Sequence, residues 1–161
     1  MIRLGARTGA ARRGHAWVSG CDLQTLTIEE PAFPLGGAGF FVKVGPVLGP
    51  LVGEGARLFD EGRFFEAHEA WEEHWLVERD ETRRRFLQGL IQVAAAFHKL
   101  VVSQAPLPAA SLFAKALAKL DVCPCAMEGI DVAAFREAVR TCASELVAGR
   151  FDATAIPRLV T

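Results

Sequence analysis

No stretch of this 161-residue chain approaches the roughly 20 consecutive apolar residues that a helix needs to cross a bilayer. The first twenty residues also lack the apolar core of a secretory leader, so the expected location is the cytoplasm. Charge of one sign is not in excess. A formal net charge of -1 gives no reason to expect a nucleic acid or a membrane surface as partner. Cysteine is sparse, with Cys21, Cys123, Cys125 and Cys142 only. A chain of this length with 51% hydrophobic residues can build a core without disulfides. Cys123-Pro124-Cys125 is the one close pair, and no second pair or nearby histidine completes a four-ligand metal set, so a structural or incidental role is expected. There is no GxGxxG, no P-loop and no GxSxG. Gly36-Gly37-Ala38-Gly39 is rich in glycine but lacks the lysine and helix that would make it a phosphate cradle. No Ser/His/Asp set has supporting spacing.

What is there divides near residue 48. The length fits one domain plus a tail. Residues 1–47 show no sustained period, open with Arg3, Arg7, Arg12 and Arg13, and have their first acid at Asp22. An Arg-rich, acid-poor opening has the composition of an organelle transit peptide. An irregular or disordered extension is the expectation preferred here, with Phe40–Val44 as a short strand lacking an evident partner.

From residue 48 to 161 the period is helical, and five helices are predicted. Pro50 suits the first turn of one ending near Asp60, where Gly62 breaks the pattern. A second covers about 63–78. Asp80 caps a third over about 81–103, stopped by Pro106 and Pro108. A fourth runs from about Pro108 to Asp121 with Leu112, Phe113, Ala116, Leu117 and Leu120 on one face. Asp131 caps a fifth, in which Val132, Phe135, Val139, Cys142 and Leu146 recur at helical steps and Gly149 sits at the C-terminal cap. The third helix is apolar nearly all round from Phe86 to Val102, so the others must cover it. The fold class is therefore all-α, a compact bundle of about five helices around a central apolar helix.

At 100° per residue, Phe64, Phe65, His68, Trp71, Glu72 and Trp75 share one face of the second helix, which should point inward. A carboxylate on such a face needs a partner. His68 is one candidate. Gln88 and Gln92 on the third helix are others, with His98 toward the edge of that stripe. The expected arrangement is one cluster of His68, Glu72, Gln88, Gln92 and His98, walled by Trp71 and Trp75. His68-Glu69-Ala70-Trp71-Glu72 reads HExxE, with His68 and Glu72 on one face and Glu69 turned about 100° away, as a general base would be. A metal held there would take His68, Glu72 and His98. The pattern departs from helical di-metal sites, because no histidine has Glu three residues before it. His74 should be exposed, and Arg83-Arg84-Arg85 should form a solvated surface paired with nearby acids.

Two stretches resemble a known family. Leu58-Phe59-Asp60-Glu61-Gly62-Arg63-Phe64-Phe65-Glu66-Ala67-His68-Glu69-Ala70-Trp71-Glu72-Glu73-His74-Trp75 is similar to the DUF309 signature LFNxGxYFEAHExLEExW. Phe86-Leu87-Gln88-Gly89-Leu90-Ile91-Gln92-Val93-Ala94-Ala95-Ala96-Phe97-His98 resembles its second signature, FLQGLIQxAAAxxH. The resemblance spans about 50–148. It implies an all-helical bacterial or archaeal domain without an established activity. Its marked positions fall on His68, Glu69, Glu72, Trp75, Gln88, Gly89, Gln92 and His98. Asp60 stands where the family usually has Asn, Trp71 where an aliphatic residue is common, and 103–108 replaces a small glycine-containing turn.

Two functions compete. One is a helical interaction module, with a second copy or another protein as partner, a closed polar cluster and an apolar groove elsewhere. The other is a small-molecule or metal site at the cluster, used for binding or for metal-dependent or acid–base chemistry by His68 and Glu72, which requires an open pocket there. The sequence names no cofactor.

Overall fold

The computed structural model describes residues 48–160, so the expected N-terminal extension and the strand at 40–44 lie outside the described residues. The order is α1 (Gly53–Asp60), α2 (Phe64–Val77), α3 (Glu81–Val101), α4 (Pro106–Leu120), β1 (Ala126–Met127), β2 (Ile130–Asp131), α5 (Val132–Val147) and a 3-10 turn at Ala153–Ala155. All five predicted helices form.

Their ends follow local chemistry. Gly62, at φ +79°, takes the left-handed position after α1, and Gly62 N–H and Arg63 N–H donate to the carbonyls of Phe59 and Leu58. Gly149 does the same after α5, through Leu146 and Glu145. Asp80 Oδ1 accepts from Arg83 N–H at 2.8 Å and Asp131 Oδ1 from Ala134 N–H at 2.9 Å, each covering an orphan donor. Two boundaries differ from expectation. Pro50 lies in the turn before α1. Pro106 does not merely end α3; the chain has already left it at 102–104, with Gln104 at φ +48°, and Pro106 opens α4, where its missing N–H costs nothing.

The third helix is central, as its composition requires. α3 packs against both α2 and α4. Phe97 on α3 is fully buried, and its ring meets Phe59 of α1 at 5.7 Å, Phe64 of α2 at 5.5 Å and Phe113 of α4 at 4.9 Å between centroids. Burial of these rings dominates the core, with edge-on geometry adding to it. On α5 the buried residues are Val132, Phe135, Val139 and Cys142.

One element was not anticipated. Ala126 pairs with Asp131 and Met127 with Ile130 in a two-residue antiparallel hairpin. Its turn residues, Glu128 and Gly129, both have positive φ, the backbone that matches strand twist in a tight hairpin. Strands this short contain too few positions to show alternation. The C-terminal segment then returns to α1, where the Asp60 carboxylate accepts from the backbone N–H groups of Leu159 and Val160, both at 2.8 Å.

Candidate functional site

α2 and α3 are joined by a tight turn. Glu78 Oε1 accepts from the N–H groups of Arg79 and Asp80 at 2.7 and 2.9 Å, and Asp80 then caps α3. The two helices therefore run antiparallel, with Phe65 opposite His98 at one end and Trp75 opposite Arg84 at the other. This register places Glu72 near the level of Gln88 and Gln92.

The face of α2 that enters the core is not the expected one. Its buried residues are Phe64, Ala67 and Trp71, a stripe rotated roughly 60° from the one read on aromatic positions. Ala67 is the reason. A small side chain lets α2 approach its neighbours closely, and this leaves Phe65 54% exposed. His68, Glu72 and Trp75 are half-buried on the flank of the stripe, and Glu69 is exposed. Among the described residues no polar or charged residue is fully buried. Gln88 and Gln92 are half-buried on α3, and no hydrogen bond joins either of them to His68 or Glu72. Gln92 Oε1 and Trp75 Nε1 are buried atoms without a partner.

The two tryptophans do different things. Trp71 is wholly buried, donates from Nε1 to the Val52 carbonyl at 3.2 Å and packs on Phe59, so it belongs to the core and not to a site wall. Trp75 carries the Arg84 guanidinium over its ring at 4.3 Å. Arg84 also donates to the carbonyls of Trp75 and Glu78, closing the end of α2. Of the expected basic surface, Arg83 and Arg85 pair with Glu128 and Glu81, whereas Arg84 is half-buried.

Two groupings surround His68. In the first, His68, Glu69 and Glu72 each offer a ligand atom, all within 4.8 Å of one another. Glu69 does not turn away; its Oε1 lies 3.3 Å from His68 Nδ1. His98 is not a member of this group. The second grouping is a cleft of about 210 Å³ between α2 and α3, lined by Phe64, Phe65, His68, Ala95, His98 and Lys99. Phe65 lies parallel to the His68 ring, 6.4 Å between centroids and 9° between planes, and 5.6 Å from the His98 ring. Beside it, Glu66 is held below its ordinary pKa by its backbone amide and by the Arg63 guanidinium, with a smaller effect from His98.

Other chemistry is poorly served. A larger hollow of about 520 Å³ lies between α5 and the C-terminal segment, but its acid, Asp131, is already the cap of α5. Burial pushes the thiols of Cys123 and Cys142 up, against smaller opposing effects, so neither is primed as a nucleophile. No helix among the described residues is long and apolar enough to cross a membrane.

Residues 52–105 match the model of the family described as Domain of unknown function (DUF309). No curated protein matches the chain. The matched span runs from the turn before α1 to the start of α4 and contains His68, Glu69, Glu72, Trp75, Gln88, Gln92 and His98, so the part of the chain that carries the candidate site is the part similar to the DUF309 family.

Proposed function

We propose that this domain is a cytoplasmic ligand-binding module whose ligand is a divalent metal ion held by His68, Glu69 and Glu72. The observation that carries the reading is the convergence of one imidazole and two carboxylates within 4.8 Å, on a helix flank that water reaches. An imidazole nitrogen and carboxylate oxygens suit a borderline ion such as Zn²⁺ or Mn²⁺. Three protein ligands leave coordination positions open, as in catalytic sites. A core network that only fixes helix register is less well supported, since no hydrogen bond joins His68 or Glu72 of α2 to Gln88 or Gln92 of α3. The near-neutral charge gives no reason to expect a nucleic acid or a membrane surface as partner.

A metal-dependent hydrolytic reaction is the second reading. The cleft beside His68 favours it, because His68 belongs both to the ligand group and to the cleft lining, so a substrate seated there would lie beside the ion. Elemental analysis of the purified chain, followed by calorimetric titration of the chelated protein with Zn²⁺ and Mn²⁺, tests the binding. One equivalent is expected, lost in His68→Ala and in Glu72→Gln with thermal stability nearly unchanged, because both residues are half-exposed. Absence of saturable binding, or equal binding by both variants, would sink the metal reading.

A further inference from the structure

We infer that the cleft between α2 and α3 binds a small organic anion with a flat apolar body, of the size of a single-ring carboxylate. Its walls and its rim have opposite character. Phe64, Phe65 and Ala95 make an apolar slot, and His68, His98 and Lys99 supply nitrogen donors from both helices. No carboxylate lines it. Glu69, outside the lining, engages His68 through Nδ1, which leaves Nε2 of that ring for a ligand. Lys99 presents an ammonium group and His98 an imidazole, so an anionic head meets charge-assisted donors and a cationic head meets repulsion.

Size narrows the occupant. At about 210 Å³ the cleft exceeds the roughly 150 Å³ apolar cavity that accepts benzene, and falls below the roughly 300–1,000 Å³ of sites for larger ligands. A single ring with one anionic substituent fits that range. Phe65 supplies a reason for binding. This large side chain stands 54% exposed, parallel to the His68 imidazole, and a planar ligand against it would remove apolar surface from water at little ordering cost. Ala95 is the small residue that keeps the slot open between the helices.

Binding here needs no metal, so the test runs on the full chain in the presence of a chelator, and its outcome is independent of the metal reading. The probes are benzoate, neutral benzamide and cationic benzylamine, followed by amide and histidine-ring NMR shifts. Benzoate is expected to give saturable shifts at His68, His98 and Phe65, with benzamide at least about tenfold weaker, the loss expected for one charge-assisted hydrogen bond. Benzylamine should not saturate. Ala95→Leu, which fills the slot and removes no polar group, should abolish benzoate binding. His98→Gln, on a half-exposed position, should weaken it about tenfold with the fold intact. Shifts that never saturate, benzylamine binding as well as benzoate, or undiminished binding in a folded Ala95→Leu or His98→Gln variant would each overturn the assignment.

Discussion

Gly55→Ala is expected to destabilise the domain even though it replaces the poorer helix former by the better one. Gly55 is buried on α1 against Trp71, and three indole atoms lie within 2.6 Å of where an alanine Cβ would sit. The indole cannot swing away, because Trp71 is fully buried and holds the Val52 carbonyl through Nε1. Alanine in the helix is worth about 1 kcal/mol over glycine. Overpacking a tight core costs about 1–3 kcal/mol. Pushing the indole off the Val52 carbonyl adds about 1–3 kcal/mol for an unpaired buried N–H. The net loss is about 3 kcal/mol. Urea unfolding followed by tryptophan fluorescence reads this as a fall in midpoint of about 1–3 M, given a slope of about 1–3 kcal/mol/M. A double-mutant cycle with Trp71→Phe isolates the clash. Without the indole N–H and its larger ring, the alanine should cost at least about 1 kcal/mol less. An unchanged or higher midpoint in Gly55→Ala alone would refute the reasoning.

Asp60→Ala removes the acceptor for the Leu159 and Val160 amides and should cost about 1.5–3 kcal/mol, with Asp60→Asn in between because the amide keeps one oxygen. Hydrogen exchange should accelerate at Leu159 and Val160 before the rest of the domain; unaltered exchange there would count against the carboxylate as the anchor. The alkaline limb of stability should report the buried thiols. Burial raises the folded pKa of Cys123 and Cys142, so their contribution is complete below the unfolded thiol value near about 8.5 and is lost as pH rises past it toward the raised folded values. The chain has no tyrosine to blur that range. Urea midpoints between neutral and alkaline pH should decline less steeply in the Cys123→Ala, Cys142→Ala double variant; equal slopes would contradict the prediction.

Much of the candidate site was legible in the sequence, and its orientation was not. The spacing of His68 and Glu72 places them one turn apart on any helix, and both fall together here. Aromatic positions alone point the helix the wrong way, because Ala67 and not Phe65 faces the core. Burial chose the stripe Phe64, Ala67 and Trp71, which leaves Phe65 to water and frees the polar groups from satisfying each other. Glu69 meets His68 although neighbours one residue apart on a helix do not ordinarily face each other. His98 met Phe65 because the turn at 78–80 sets the register of α3 against α2.

The sequence by itself determined the elements that local physics governs: five helices from apolar periodicity, their starts from Asp80 and Asp131, their ends from Gly62 and Gly149, and the central place of α3 from its nearly uninterrupted apolar surface. Only the tertiary structure decided which flank of α2 stays wet, that Trp71 belongs to the core, that Asp60 holds the C-terminal segment and that a cleft opens beside His68. Those outcomes depend on how closely two helices approach and at what register. That is set by the summed packing of residues far apart in the chain, such as Gly55 with Trp71, Gly89 with Leu120 and Phe97 with Phe113, and no local period encodes it.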